Sequence, residues 1–318
     1  MKAQYITTSQ LKAIPVNWKE MIDVIEQAVQ CLDRGDYSQP VKPYLRYGDS
    51  QNRIIAMPAY IGGEFHTAGI KWIASFPDNI RQGKPRAHSV LILNNADNGE
   101  PYAILNSALP SIVRTAAVSG VMIDRYVRNR NNMSMTIGII GWGPIGRCHM
   151  EMCDTILGEK ITQFILHDLR TIPNESIPEK LRKSTRIVSD WREVYQLSDI
   201  FITCTVSNKR YIDLPARTGS LLLNVSLRDY TDKVYDSVKQ GIIVDDWTEV
   251  CRENTDIALF HQSCGLEKRE VKTIADVVCR DILSQFPLDQ PLMFNPMGMA
   301  IFDIATGCYY NRKMPQVT

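Results

Sequence analysis

The chain has 318 residues, 44% hydrophobic and 22% charged, and its 36 Lys and Arg against 35 Asp and Glu leave a formal charge of +1. That balance, with no long run of one sign, excludes the electrostatic footprint of a general nucleic-acid binder or a membrane-surface protein and points to a small-molecule partner. The length suits two domains with a sizeable core, and the composition is not that of a disordered chain.

The first secure element follows Asn17, which with Glu20 reads as a capping box. Met21, Ile22, Ile25, Ala28, Val29 and Leu32 then recur at helical spacing as far as Gly35, a C′ stop. Residues 53–105 change texture to short β-type runs, RIIAMPAYIG, GIKWIASF, SVLILNN and PYAILN, broken by Gly-Gly, Pro and the Asn/Asp/Gly cluster at 94–99. These predict antiparallel strands joined by hairpins. A helical pattern returns from Ser111 to about Val127, and the polar stretch 128–134 is the expected crossover between domains. Beyond it, MTIGII (135–140), ITQFILHD (161–168), DIFITCTV (199–206), SLLLNVS (220–226) and GIIVDD (241–246) are near-continuous apolar runs separated by amphipathic or irregular segments. That alternation predicts a doubly wound parallel α/β domain from about 133 to 290.

Gly141-Trp142-Gly143-Pro144-Ile145-Gly146 follows the first of these strands and opens a helical segment, the context a GxGxxG requires. Its glycines suit a tight turn, close approach to a pyrophosphate and close helix–strand packing, with the helix N-terminus toward the phosphates. Asp168 closes the next strand, where a carboxylate accepts from both ribose hydroxyls of an adenosine and repels a 2′-phosphate; NAD is the expected cofactor, although Arg170 stands two residues on.

In the first domain Arg46, Lys71, Arg86 and Arg114 are candidate carboxylate ligands, although any one of them taken singly is more often a surface cation. Arg114 lies early in its helical pattern, where a bound anion explains a positive charge better than helix stability does. Lys71 is flanked by Ile70 and Trp72 and is placed for partial desolvation. Asp229, after the SLLLNVS run, sits at the carboxyl end of a strand; it is either a general base or a cap for a helix at 231–238. Five histidines form no HxH or HExxH pattern and eight cysteines form no CxxC pair, so free thiols and no metal are expected. Neither a basic-then-apolar leader nor a run of about eighteen apolar residues occurs, and the cytoplasm is the expected compartment.

Taken together, Met57-Pro58, GIKW (69–72), RTAA (114–117), the glycine loop, the TCTV strand end and FNPMGMAIFDIA (294–305) resemble the ornithine cyclodeaminase/mu-crystallin family of NAD(P)-dependent amino and imino acid enzymes. The resemblance implies a substrate-binding and dimerisation domain of α+β type, 1–118 with 294–318, into which a Rossmann-type domain, 119–293, is inserted, and a homodimer. It also implies that Lys71 and Asp229 are the catalytic pair, that Arg114 and Arg46 bind carboxylate, and that Lys233, Thr205 and Met297 contact the cofactor beside Gly141, Gly143, Pro144, Ile145, Gly146 and Asp168. Cyclodeaminases carry GxGAQ where this loop reads Gly-Trp-Gly-Pro-Ile, Arg86 stands where many members have a small polar residue, and Pro296 replaces a serine.

QPVKPYLR (39–46), RIIAMPAYIGGE (53–64), VDDW (244–247) and NPMGMAI (295–301) resemble the family branch that makes 2,3-diaminopropionate for siderophores and peptide antibiotics. This implies oxidation of a secondary amine bearing three carboxylates, with hydrolysis to 2-oxoglutarate and 2,3-diaminopropionate. A substrate with several carboxylates accounts for four cations around one pocket better than ornithine does. Ornithine cyclodeaminase, ketimine reductase and alanine dehydrogenase activities are the alternatives within the family, and a cofactor-loaded binding protein is the alternative outside enzymes.

Overall fold

The computed structural model describes residues 3–49, 51–128, 130, 134–207 and 209–315. It divides into two compact units, Met1–Arg114 with Gly298–Thr318, and Thr115–Met297. The first cut falls inside a single helix, Leu109–Arg128. Of the polar stretch expected to form the crossover, residues 129 and 131–133 lie outside the described residues.

In the first unit, among the described residues, β1 (Gln4–Thr7), β2 (Tyr37–Ser38), β3 (Tyr44–Leu45), β4 (Arg53–Ile61), β5 (Thr67–Ser75), β6 (Ala87–Asn95) and β7 (Pro101–Asn106) form one sheet in the order β1-β7-β6-β5-β4-β2, with β3 also paired to β4. The four predicted runs are its antiparallel centre, β4 to β7. The edge pairing of β1 with β7 is parallel. Strand alternation gives the sheet two unlike faces. One carries Met57, Ala59, Ile61, Leu91 and Leu93, all buried, and it is covered by the helix Ala300–Lys313. The helix Trp18–Asp33 packs on Ala300–Lys313 in turn. Asn17 caps it by accepting from the Glu20 amide, and Gly35 follows its end at φ 71°. The other face carries Ile54, Pro58, Ile70, Val90 and Ile92, half-buried, and Trp72, 43% exposed.

The second unit holds an eight-stranded parallel sheet among the described residues: β8 (Met135–Ile140), β9 (Ile161–His167), β10 (Thr185–Ile187), β11 (Ile200–Thr203), β12 (Leu221–Asn224), β13 (Ile242–Val244), β14 (Lys272–Thr273) and β15 (Leu292–Asn295), in the order β10-β9-β8-β11-β12-β15-β13-β14. The strand order reverses between β8 and β11, the switch point where doubly wound sheets open a crevice at their carboxyl ends. β15 corrects the expected return of the chain at 294: Phe294 and Asn295 pair with β13 inside this sheet, and the contacts change unit only at Gly298. The FNPMGMAIFDIA run straddles a strand of one unit and a helix of the other, so no shift in composition marks the join. No helix among the described residues is long and apolar enough to cross a membrane, and all eight cysteines are free thiols.

Candidate active site

In the second unit, β8 runs into Gly141, whose φ of 95° is the left-handed conformation that glycine adopts without strain. A Cβ there would lie 2.5 Å from the Cys204 carbonyl oxygen, and one at Gly146 would lie 2.1 Å from the Gly141 carbonyl oxygen. Gly143 differs, because a Cβ there would meet nothing within 4 Å. It caps the helix Pro144–Leu157 with no side-chain acceptor for the free amides, and Pro144 occupies the first turn. Two glycines thus close the turn, and the middle one leaves open backbone at a helix N-terminus where a pyrophosphate fits. Ile145 is half-buried at the start of the same helix, its carbonyl accepting from His149 Nδ1 at 2.8 Å. Since Nδ1 carries that proton, Nε2 accepts from Ser119 Oγ at 2.9 Å, and burial holds the imidazole neutral, its pKa lowered to about 4.

Asp168 follows β9 directly. One oxygen accepts from the Trp142 amide at 2.7 Å and the other from the Arg170 amide at 2.8 Å. Arg170 pairs with it loosely, at 3.5 Å, and is itself two-thirds exposed. The Trp142 indole donates to Ser176 Oγ at 2.7 Å.

The loop after β11 adjoins the glycine turn, Cys204 N donating to the Ile140 carbonyl at 2.7 Å. From here Thr205 Oγ1 donates to Asp229 Oδ1 at 2.5 Å, and Ser226 Oγ donates to the other oxygen. Asp229 is buried, which pushes its carboxyl upward, while the Ser226 and Thr205 hydroxyls pull it back and Asp256 adds to the rise. Among the described residues Asp229 is not the N-cap of the helical turn that follows, where Thr231 stands in that place. Its own backbone is fastened by Asp256, fully buried, whose Oδ2 accepts from the Asp229 and Tyr230 amides at 3.0 and 3.1 Å and from Asn224 Nδ2 at 3.0 Å. Arg210 Nε donates to the remaining oxygen at 2.7 Å. Met297 donates its amide to Asp245 Oδ1 at 3.0 Å. Lys233 is 70% exposed and stands 3.8 Å from Asp213.

In the first unit, Lys71 on β5 is buried on the covered face and donates from Nζ to Asp303 Oδ2 at 2.6 Å. Arg114 Nε donates to Asp303 Oδ1 at 2.9 Å. Burial lowers the Lys71 ammonium to about 7, with Arg114 and Lys42 adding to the fall and Asp303 opposing it. Burial alone would raise Asp303, yet Arg114 and Lys71 hold it below the ordinary carboxylate range. Gly298, at φ 85°, makes room for this pair: a Cβ there would lie 2.6 Å from an Arg114 guanidinium nitrogen. Lys42, also buried, donates to the Gly298 carbonyl at 2.7 Å.

Asp303 adds a carboxylate to the expected group of four cations. Lys71 and Arg114 share a carboxylate of their own, supplied by the MGMA-x-x-D segment, while Arg46 is exposed with its guanidinium over the Tyr44 ring and Arg86 is half-buried just ahead of β6. With Lys71 protonated, two cations on one buried carboxylate leave an excess of one positive charge, suited to a ligand carboxylate. Among the described residues no cluster of His, Cys, Asp and Glu is arranged to hold a metal ion.

A model of the ornithine cyclodeaminase/mu-crystallin family matches residues 6–314. The N-((2S)-2-amino-2-carboxyethyl)-L-glutamate dehydrogenase of Staphylococcus aureus is 29% identical, over 98% of this chain and 95% of the relative. Among solved structures, Thermococcus litoralis Delta(1)-pyrroline-2-carboxylate reductase in complex with NADH and L-proline superposes with a TM-score of 0.86 at 22% identity, covering 97% of each chain. An archaeal alanine dehydrogenase dimer with bound NAD superposes with a TM-score of 0.79 at 21% identity, covering 98% of this chain and 96% of that one.

Proposed function

Because the chain belongs to the ornithine cyclodeaminase/mu-crystallin family, we propose that it is an NAD-dependent dehydrogenase. Its proposed reaction releases L-2,3-diaminopropionate and 2-oxoglutarate from N-(2-amino-2-carboxyethyl)-L-glutamate, a step toward siderophores or peptide antibiotics. The observation that carries the substrate assignment is the near full-length similarity to the staphylococcal enzyme. The pairing of Lys71 and Arg114 on Asp303 supports it, because that pairing prepares a cationic seat for an amino acid carboxylate.

The glycine loop, with open backbone at Gly143, is the proposed pyrophosphate seat, and Asp168 the proposed ribose acceptor, which favours NAD over NADP. When bound, the dinucleotide supplies the hydride acceptor. Arg114 and Lys71 hold the carboxylate of the glutamyl half, so that its Cα–H and the neighbouring secondary amine are oriented for reaction. Asp229 accepts the amine proton as Cα loses hydride and the C=N bond forms. It returns that proton to the imine nitrogen, and the carboxylate so regenerated deprotonates the water that adds to the imine carbon. The proton it gains then passes to the amine nitrogen, which leaves as the hydroxyl gives up its proton and becomes the 2-oxoglutarate carbonyl, C–N cleavage releasing the two products. Thr205 and Ser226 hold the Asp229 carboxylate in place through both steps. Thr205 and Met297, with Lys233, are assigned to cofactor contact, and Arg46 and Arg86 to further carboxylates of the substrate. The homodimer expected for the family is supported by the dimeric archaeal relative and by the apolar outer face around Trp72.

The deciding assay follows NADH formation from the synthetic tricarboxylate, with L-ornithine, L-alanine and L-proline in parallel. We expect turnover of the first alone, with 2-oxoglutarate appearing in equal amount. Faster turnover of any of the others would replace the substrate assignment.

A further inference from the structure

We propose that Arg53 and Ser75 form a seat for a second, distal carboxylate of the substrate, on the sheet face that holds Lys71; this rests on the reading of the protein as a dehydrogenase of an amino acid with several carboxylates. The register of β4 and β5 sets Met57 opposite Lys71, Ile55 opposite Ile73, and Arg53 opposite Ser75. These pairs are two residues apart, so all three rows share one face. Along it run, in order, a buried ammonium, an apolar row, and a guanidinium beside a hydroxyl. A glutamyl group has the same sequence of parts: carboxylate, methylenes, carboxylate. Each step between rows is about 7 Å, a span that two long side chains and a short dicarboxylate bridge together.

The second observation concerns unmet donors. Arg53 Nε and Ser75 Oγ are buried atoms, and neither has a hydrogen-bond partner among the described residues. Buried polar groups are nearly always paired, because an unpaired one forfeits its hydration without return. Arg53 offers only donors and Ser75 a donor hydroxyl, so the partner that satisfies both is an acceptor, and beside a guanidinium it is an anion. Position is also constrained: the Arg53 guanidinium carbon lies 5.9 Å from the centroid of the Tyr44 ring, and that of Arg46 lies 5.3 Å from the same ring. One ring thus gathers two guanidinium groups at the end of the row.

The test measures calorimetric affinities of the NADH-saturated protein for 2-oxoglutarate and for 2-oxobutyrate, which differ only by the distal carboxylate. Wild type is expected to prefer 2-oxoglutarate by about tenfold or more, and Arg53→Gln to lose that preference while keeping its affinity for 2-oxobutyrate. Ser75→Ala is expected to reduce the preference less, and stands in should Arg53→Gln fail to fold. A preference unchanged in the variants, absent from wild type, or lost together with 2-oxobutyrate binding would overturn the subsite. Turnover assays separate this from the broader reading. An intact, Arg53-dependent preference without oxidation of the tricarboxylate removes the activity and keeps the seat. Oxidation with a KM indifferent to Arg53→Gln removes the seat and keeps the activity.

Discussion

Asp229 illustrates how a single carboxylate acquires a role from its surroundings. Burial raises its pKa, and two hydroxyls aim it without neutralising it. In its proposed role as a base it works only when ionised, so kcat/KM is expected to rise with pH through a limb lying above the ordinary carboxylate range. Lys71 loses its proton near 7, and with it one charge of the proposed carboxylate seat, so kcat/KM is expected to fall on the alkaline side. Lys71→Arg, which stays charged, should extend that alkaline limb. A profile whose limbs ignore these changes would remove the residues from those roles. Asp229→Asn is expected to lower kcat by about a hundredfold or more while leaving NADH affinity within a factor of two or so, measured by steady-state kinetics and by titration. Lys71, Arg114 and Asp229 were legible as candidates because their residue types stand out in apolar runs. Asp303 was legible only as part of the FNPMGMAIFDIA motif, with no role attached to it, since an Asp in the first turn of a helix also complements the dipole; only the fold brings it to Lys71 and Arg114. Asp256 was hidden for a similar reason, its partners Arg210, Asn224 and Asp229 being scattered through the sequence.

At the scale of elements, the long strands and the two long amphipathic helices were readable because hydrophobic period survives over many residues. β8 begins and ends where MTIGII does. Strands of two to four residues, β1, β10, β14 and β15, carry too few side chains to show a period, and their place is decided by what they pair with. The glycine loop was legible as a motif, but the division of labour within it is visible only in the structure. Gly141→Ala forces a Cβ against the Cys204 carbonyl at positive φ and is expected to destabilise the fold by about 1–3 kcal/mol. Gly143→Ala meets open space and is expected to leave the melting temperature nearly unchanged while weakening NADH binding. Thermal melts with and without NADH check both; equal destabilisation by the two changes would contradict the assignment of Gly143 to the pyrophosphate.

For the whole molecule, a net charge of +1 is a poor guide to local charge: Lys71 and Asp303 are buried together, with the Arg114 side chain 11% exposed beside them. The proposed dimer is a property of the same scale. Trp72→Glu on the outer face of β5 is expected to lower the mass seen by light scattering from dimer to monomer, and an unchanged mass would move the interface elsewhere. The loop tryptophan, finally, gives the protein an optical property. Trp142 is 4% exposed, its indole tied to Ser176 and its amide tied to Asp168. Tryptophan emission overlaps the absorption of reduced nicotinamide, so with NADH at the proposed pyrophosphate turn Trp142 is expected to report its filling by loss of fluorescence. Quenching by NADH should fall sharply in Trp142→Phe, a label-free readout that follows occupancy during turnover in real time.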